Sequence, residues 1–191
     1  MNMKRNLVGS LVIASIFFAG AASAQPSLLD HELAGTDGET KSLRERMGEA
    51  DYLVLTFFSA TCPCQTLHDP RLRALHEDFG SSGVVLLAVD SEAGSSLERD
   101  RQEAAKRFYD FPILSDPDAK LADAVGARFA TFTVIVDRSG AIRYRGGIDP
   151  DRTRLRGDSP QYVREGLERL LAGSSPDPAE TKAFGCYLRR R

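Results

Sequence analysis

The stretch that decides the fold is FFSATCPCQTLHDPRLRALHEDF, at positions 57–79. It continues an apolar run that begins at Tyr52 and is typical of a buried β-strand. Three small or polar residues end the run, and Cys62-Pro63-Cys64 comes directly before a helical pattern. The first turn of a helix has unpaired N–H groups and the positive end of the helix dipole, which favour a thiolate over a thiol. The stretch therefore predicts a reactive cysteine, Cys62, at a strand-to-helix junction.

The helical pattern after the cysteines has one apolar face. At 100° per residue, five positions fall within a stripe about 80° wide; they are Cys64, His68, Leu72, Leu75 and Phe79. The charged residues Arg71, Arg73, Glu77 and Asp78 lie off the stripe. We therefore expect the buried side of this helix to extend up to the second cysteine and to include the histidine.

A strand ending in aromatic residues, a cysteine-containing turn and a helix with Pro70 eight residues after the first cysteine resemble the thioredoxin superfamily. Thioredoxins carry W-C-x-x-C at this point. Aligned on the proline, Cys62 takes the place of their nucleophile, whereas Gln65 takes the place of their second cysteine and Thr61 that of the tryptophan. The resemblance implies a nucleophile at Cys62, with Thr61, Pro63 and Gln65 as its neighbours in the active site.

The rest of the chain predicts an α/β architecture. Strands are expected at 29–33, 40–43, 84–89, 131–136 and 141–144, and helices at 97–108, 117–125 and 160–171. This order predicts a thioredoxin-like fold: a mixed central sheet flanked by helices, with an N-terminal β-hairpin extension and a C-terminal tail. The hairpin around Thr36-Asp37-Gly38 resembles the extension of exported redoxins related to AhpC/TSA, and the resemblance covers about residues 30–171.

Further positions compare this chain with related families. Thioredoxins place a cis-proline before the strand that here begins near Thr131, so we expect Thr131 to lie near Cys62 and to follow a trans peptide bond. Peroxiredoxins show P-x-x-x-[T/S]-x-x-C. Ser59 fits the hydroxyl position of that motif, but Leu55 stands in place of its proline. Arg128 is a candidate for the peroxiredoxin arginine, and a surface arginine is an equally good interpretation of it.

Residues 1–24 are predicted to be a signal peptide. Two basic residues precede an apolar segment at 7–20, and Ala22-Ser23-Ala24 matches the small-x-small cleavage pattern. The apolar segment is shorter than the roughly 20 residues that a membrane span needs. We therefore expect a periplasmic or secreted protein without stable membrane insertion after cleavage, in a compartment where disulfides persist.

The predicted mature chain divides into a redoxin domain at 25–172 and a linker with a cysteine-containing tail at 173–191. Without Lys4 and Arg5, 23 of the 25 basic residues remain against 27 acidic ones, a net charge of about −4, which does not indicate nucleic-acid binding. The basic end of the chain, Arg189-Arg190-Arg191, is predicted to be solvated.

The three cysteines suggest a shared redox site. Cys186 lies in a tail whose neighbouring apolar residues, Phe184, Tyr187 and Leu188, favour burial. This tail resembles the "GC" ending of some exported redoxin-domain proteins. We expect Cys186 to dock beside the other two cysteines. Cys62 is then the attacking thiolate, and either Cys64 or Cys186 resolves the mixed disulfide.

A metal site is the competing interpretation. Cys62, Cys64 and His68 form C-x-C-x₃-H, and Cys186 could add a further ligand. Soft thiolates with an imidazole suit Cu(I) or zinc, and copper chaperones of this fold exist as a class. A hydrogen-bonded histidine on a helix face is the favoured interpretation of His68, so no cofactor is expected.

The sequence thus predicts an exported thiol–disulfide oxidoreductase that acts on protein thiols or disulfides together with a redox partner protein. One alternative is a thiol peroxidase that uses the same Cys62 on a peroxide. The other is a copper-binding protein of the same fold without enzymatic activity.

Overall fold

A computed structural model describes residues 27–190, so the predicted signal peptide lies outside the described part. Seven strands form the sheet: β1 (Glu32–Gly35), β2 (Thr40–Ser42), β3 (Tyr52–Phe58), β4 (Val84–Asp90), β5 (Ile113–Ser115), β6 (Thr133–Asp137) and β7 (Ile142–Gly146). Five helices accompany them: α1 (Leu43–Met47), α2 (Pro63–Phe79), α3 (Leu97–Lys106), α4 (Lys120–Val125) and α5 (Tyr162–Leu171). No helix within 27–190 is both long enough and apolar enough to span a bilayer.

The strands lie in the order β2-β1-β5-β4-β3-β6-β7. Strands β3, β4 and β5 run parallel to their neighbours in that group, whereas the β1–β2, β1–β5, β3–β6 and β6–β7 pairs are antiparallel. The sheet is therefore mixed, and the predicted α/β, thioredoxin-like architecture is confirmed.

Strand β3 is the centre of the core because it contributes side chains to both faces of the sheet. Leu53, Leu55 and Phe57 pack into one apolar cluster, and Val54 and Phe58 pack into the other. This alternation follows from the two-residue period of a strand. Burial on both faces explains why its sequence is a continuous apolar run, and it fixes the end of the strand just before the cysteine turn.

The N-terminal region differs from the prediction. The strand expected at 29–33 is instead a 3-10 turn over Leu28–Asp30 followed by β1. The second strand of the hairpin is followed directly by helix α1, which was not expected. Ser42 and Glu45 form a reciprocal capping box at the start of α1, and such a box satisfies two backbone donors that would otherwise lack partners.

Candidate active site

The turn that carries Cys62 is built by the start of α2. Cys62 is the N-cap residue and Pro63 occupies the first helical position, where the missing proline N–H costs nothing. The Cys62 side chain is only 1% exposed, whereas Thr61 and Pro63 are exposed. All three cysteines are free thiols. The turn therefore holds a buried thiol at the N-terminus of a 17-residue helix.

The C-terminal tail covers this turn. The amide N–H of Cys186 points at the Cys62 sulfur, with 3.3 Å between nitrogen and sulfur. Backbone hydrogen bonds tie the tail to the segment before β6: the Ala130 amide donates to the Cys186 carbonyl at 2.9 Å, and the Leu188 amide donates to the Arg128 carbonyl at 3.0 Å. The tail thus pairs as a short antiparallel strand, and the expected position of Cys186 beside Cys62 is observed.

Thr131 shapes the segment against which the tail packs. Its amide donates to the Phe57 carbonyl at 2.7 Å, and its hydroxyl donates to the Phe184 carbonyl at 2.9 Å. Its φ of 69° lies in the left-handed region, which is why β6 begins at Thr133 and not at the predicted position 131. The peptide bond before it is trans, as expected, since the Asp177–Pro178 bond alone is cis among the described residues.

Gly185 allows the close approach of the tail. A Cβ atom at this position would lie 2.0 Å from the Ala130 carbonyl oxygen and 3.0 Å from the carbonyl carbon. Real Cβ atoms do not come this close to backbone, so any side chain here would displace the tail. Docking of Cys186 therefore depends on the glycine that precedes it.

The other two thiols are held in their neutral form. Burial raises the pKa of Cys64, and negative charge on Cys62 raises it further. Burial also raises the pKa of Cys186 well above its usual range, followed by its hydrogen bond to Cys62 and the charge of that residue. The Cys64 thiol faces the Arg152 carbonyl at 3.6 Å. A negative charge on Cys62 would therefore oppose the ionisation of both neighbouring thiols.

His68 is part of the scaffold beneath the turn. One ring nitrogen, Nδ1, bonds the Cys64 carbonyl at 2.7 Å, and the other, Nε2, bonds the Asp149 carboxylate at 2.9 Å. Burial is the largest single effect and would lower the pKa of His68, but the hydrogen bonds to Asp149 and to the Cys64 carbonyl, together with the charges of Asp149 and Asp151, outweigh it and the net pKa is raised. Both nitrogens are occupied, so the interpretation as a hydrogen-bonded histidine is confirmed.

The metal set proposed from the sequence is not assembled. His68 cannot join Cys62, Cys64 and Cys186 as a ligand while its nitrogens bind the Cys64 carbonyl and Asp149. Over residues 27–190, no group of three or more histidine, cysteine or acidic side chains is placed to hold a metal ion.

The His68–Asp149 pair gives a pH-dependent contribution to stability. Because the folded pKa of His68 is raised, the contribution is fully present below the unfolded value of about 6.5 and is lost as pH rises through the folded value. His68→Leu removes the closer of the two cations of the buried Asp149 and leaves Arg71 at 3.5 Å, so at pH 6 it should lower the free energy of unfolding by about 3 kcal/mol. Urea unfolding of both proteins from pH 6 to 9 should show this difference shrinking.

His68→Gln is the matched control, because glutamine offers hydrogen bonds without a titrating charge. As pH rises above the unfolded pKa of histidine, the free energy of unfolding should decline in wild type. In His68→Gln this decline should be absent. A wild-type curve that rises relative to this control over the same range would contradict the charged pair.

Glu92 is a site residue that the sequence did not reveal. Its side chain is 2% exposed. One carboxylate oxygen accepts a hydrogen bond from the Ser59 hydroxyl at 3.0 Å. The other faces the tail, 3.5 Å from the Arg189 amide and 3.6 Å from the Arg189 side chain. The only signal in the sequence was an acidic residue shortly after a buried strand, and such residues are common in loops.

The basic end of the chain is not simply solvated as predicted. The Arg189 carbonyl accepts a hydrogen bond from the Ala93 amide at 2.6 Å. The guanidinium of Arg190 contacts the Asp123 carboxylate and the Ala127 carbonyl. The last described residues therefore help to fix the tail on the domain.

A second buried hydrogen-bond network supports the turn that carries Cys62. Gln65 donates to the Tyr109 hydroxyl at 2.9 Å, and Tyr109 donates to Asp69 at 2.5 Å. Arg107 bonds both Asp69 and the Ala60 carbonyl at 2.9 Å. Gln65, at the position of the second thioredoxin cysteine, thus supports the loop that leads to Cys62.

The two peroxiredoxin-like residues found in the sequence direct their side chains away from the Cys62 sulfur or to other partners. Ser59 directs its hydroxyl to Glu92. Arg128 is exposed, and its carbonyl accepts a hydrogen bond from the Leu188 amide in the tail. Among the described residues, no arginine side chain hydrogen-bonds the Cys62 sulfur, whose donor is the Cys186 amide.

Comparison with solved structures places the fold. The chain matches a hypothetical protein of Sinorhizobium meliloti 1021 with a TM-score of 0.78 and 23% identity, over 90% of this chain and 97% of that one. An uncharacterized conserved protein of Geobacillus kaustophilus gives a TM-score of 0.77 and 24% identity, over 87% and 91%. A mutant of Xylella fastidiosa PrxQ gives 0.59 and 22%, over 76% and 91%. At these identities the likeness shows the fold.

Comparison of sequences gives the family. The chain is 27% identical over 135 residues to the thiol-disulfide oxidoreductase ResA of Halalkalibacterium halodurans, covering 67% of this chain and 72% of that protein. The family model described as the AhpC/TSA family matches residues 25–145. The buried thiol at a helix start and this match lead to one conclusion: the chain belongs to the AhpC/TSA family and is a thiol-dependent redox enzyme of the thioredoxin superfamily.

Proposed function

We propose that this protein is an exported thiol–disulfide oxidoreductase in which Cys62 is the nucleophile and Cys186 the resolving cysteine. The observation that carries the proposal is the 3.3 Å contact between the Cys186 amide and the Cys62 sulfur. A backbone N–H aimed at a sulfur favours negative charge on it, as the start of α2 does. Export is supported by the predicted signal peptide at 1–24.

The proposed reaction has two balanced steps. The Cys62 thiolate attacks one sulfur of a partner disulfide, a new S–S bond forms, and the other partner sulfur leaves as a thiolate that takes a proton. The Cys186 thiol then loses its proton and attacks the Cys62 sulfur. This step releases the partner as a dithiol and leaves a Cys62–Cys186 disulfide, so two electrons move from this protein to its partner. The reverse sequence oxidises a partner.

Cys186 is a better resolving thiol than Cys64. A bond between Cys62 and Cys64 would have to bring their Cα atoms within about 4.4–6.8 Å of each other. That bond would close a tight three-residue turn across Pro63. Cys186, in contrast, approaches from a separate segment whose backbone is already fixed beside Cys62. Once the tail is docked, little further rearrangement is needed for the resolving attack.

The buried position of Cys62 sets a condition on the partner. With the tail docked, the Cys62 side chain is 1% exposed, so a protein disulfide reaches its sulfur only after the tail moves away. Cys186 leaves with the tail and returns with it. Substrate entry and resolution are thus alternating steps of one tail movement.

The proposal is tested by peptide mapping of the oxidised mature protein. Air oxidation, alkylation of free thiols and protease digestion should yield a peptide that links Cys62 to Cys186, with Cys64 alkylated. A Cys62–Cys64 bond with Cys186 alkylated would refute the assignment of the resolving cysteine. Rapid sulfenic acid formation at Cys62 with hydrogen peroxide, and none of the exchange activity, would favour a peroxidase instead.

A further inference from the structure

We propose that Glu92 is a positioning residue that joins the Cys62 turn to the Cys186 tail and whose negative charge favours the thiol form of Cys186 over the thiolate. The inference rests on the proposed function, because it explains how two neighbouring cysteines are given different roles. It concerns a residue on the turn between β4 and α3 that takes no part in the exchange steps described above.

The first argument is the cost of the buried carboxylate. Taking an ion out of water costs several kcal/mol unless it is well paired. Glu92 is 2% exposed, and its nearest cation, Arg189, is 3.6 Å away with a side chain that is 67% exposed. A glutamine could accept the Ser59 hydroxyl and face the Arg189 amide without this cost. The negative charge at position 92 therefore needs an explanation beyond hydrogen bonding.

The second argument is the place of the carboxylate between the two reactive segments. Ser59 precedes Cys62 by three residues, and Arg189 follows Cys186 by three residues. One Glu92 oxygen bonds Ser59 and the other faces Arg189. Ala93 adds a backbone hydrogen bond to Arg189 at 2.6 Å. The residue is thus in contact with both chain segments that must meet for resolution.

The third argument is the charge that Cys186 experiences. Burial is the largest cause of the raised pKa of Cys186, the hydrogen bond and charge of Cys62 come next, and the charges of Cys64 and then of Glu92, on the turn after β4, add to them. Arg189 lies on the tail itself, and Arg152 packs its guanidinium 3.6 Å from the Phe184 ring centre. Once Cys62 enters a disulfide its charge is gone, and Glu92 remains as a fixed charge next to the tail.

The test isolates the effect of position 92 from the exchange reaction. In a background of Cys62→Ser and Cys64→Ser, Cys186 is the only thiol, and its alkylation rate by iodoacetamide is measured against pH. Glu92→Gln should move the midpoint to lower pH by about half a unit, a roughly threefold higher rate below the midpoint. An unchanged midpoint would overturn the proposal, whichever disulfide the intact protein forms.

Two control variants separate charge from loosening of the tail. Asp123→Asn removes an equal charge that contacts the tail at Arg190, on the surface, and should leave the midpoint in place. Arg189→Ala removes a cation and a tail contact, so an electrostatic role predicts a higher midpoint. A midpoint lowered by Arg189→Ala as much as by Glu92→Gln would show that loosening is the cause and would overturn the assignment.

Discussion

Cys62→Ser should abolish thiol–disulfide exchange, whereas Cys64→Ser should retain most of it. The thiolate is the nucleophile in exchange, and Cys62 is the cysteine that receives both the helix start and the Cys186 amide. Cys64 has no such donor and faces the Arg152 carbonyl. The measurement is the rate of reduction of a disulfide-bonded peptide by the reduced protein, followed by mass spectrometry.

Cys186→Ser provides the matched control for this prediction. It leaves the nucleophile intact, so the first step should proceed and the mixed disulfide between Cys62 and the peptide should accumulate. If Cys64→Ser stops turnover and accumulates the same adduct while Cys186→Ser does not, Cys64 is the resolving cysteine and the tail has another role. Full activity of Cys62→Ser would refute the nucleophile.

Local pattern was sufficient to predict the turn and its helix. The continuous apolar run marked β3, and the 100° periodicity placed His68, Leu72, Leu75 and Phe79 on the buried side of α2, as the structure has them. These features follow from interactions within a few residues of chain. The apolar residues around Cys186 indicated that the tail packs on the domain; Leu188 is buried, whereas Tyr187 is exposed.

Long-range partners could not be predicted. Glu92 contacts Arg189, which is 97 positions away in the sequence, and Ser59, which is 33 positions away. The sequence around Glu92 resembles an ordinary loop after a strand. Asp149 meets His68 across 81 positions. The sequence showed that Thr131 stands where thioredoxins have proline, but the left-handed backbone of Thr131 accompanies hydrogen bonds to Phe57 and to the tail.

One miss had a local signal that could have been used. Ser42-Leu43-Arg44-Glu45 fits the S-x-x-E capping box that begins a helix, and α1 begins there. The expected return strand of the hairpin instead ends at Ser42. Leu43 could extend strand β2 or begin a helix. The capping hydrogen bonds between Ser42 and Glu45 favour the helix.

Gly185→Ala should undock the tail and weaken the Cys62–Cys186 disulfide by at least about 100-fold in its equilibrium with glutathione. The added Cβ would meet the Ala130 carbonyl oxygen at 2.0 Å, and the backbone there is held in place because the Ala130 amide donates to the Cys186 carbonyl. A flexible tether gives an effective concentration of only about millimolar, whereas well-oriented groups reach values that are many orders higher. Loss of docking removes that advantage while Cys62 and Cys186 remain in the chain.

Gly157→Ala is the matched control, because a Cβ at position 157 meets nothing within 4 Å. Its disulfide equilibrium should equal that of wild type. In the reduced state, Gly185→Ala should also expose Cys62, so the alkylation rate of Cys62 should rise together with that of Cys186. The first step of exchange with a protein disulfide should then be faster and resolution slower. If the variant keeps the wild-type disulfide equilibrium and a protected Cys62, the docked tail is not what brings the two cysteines together.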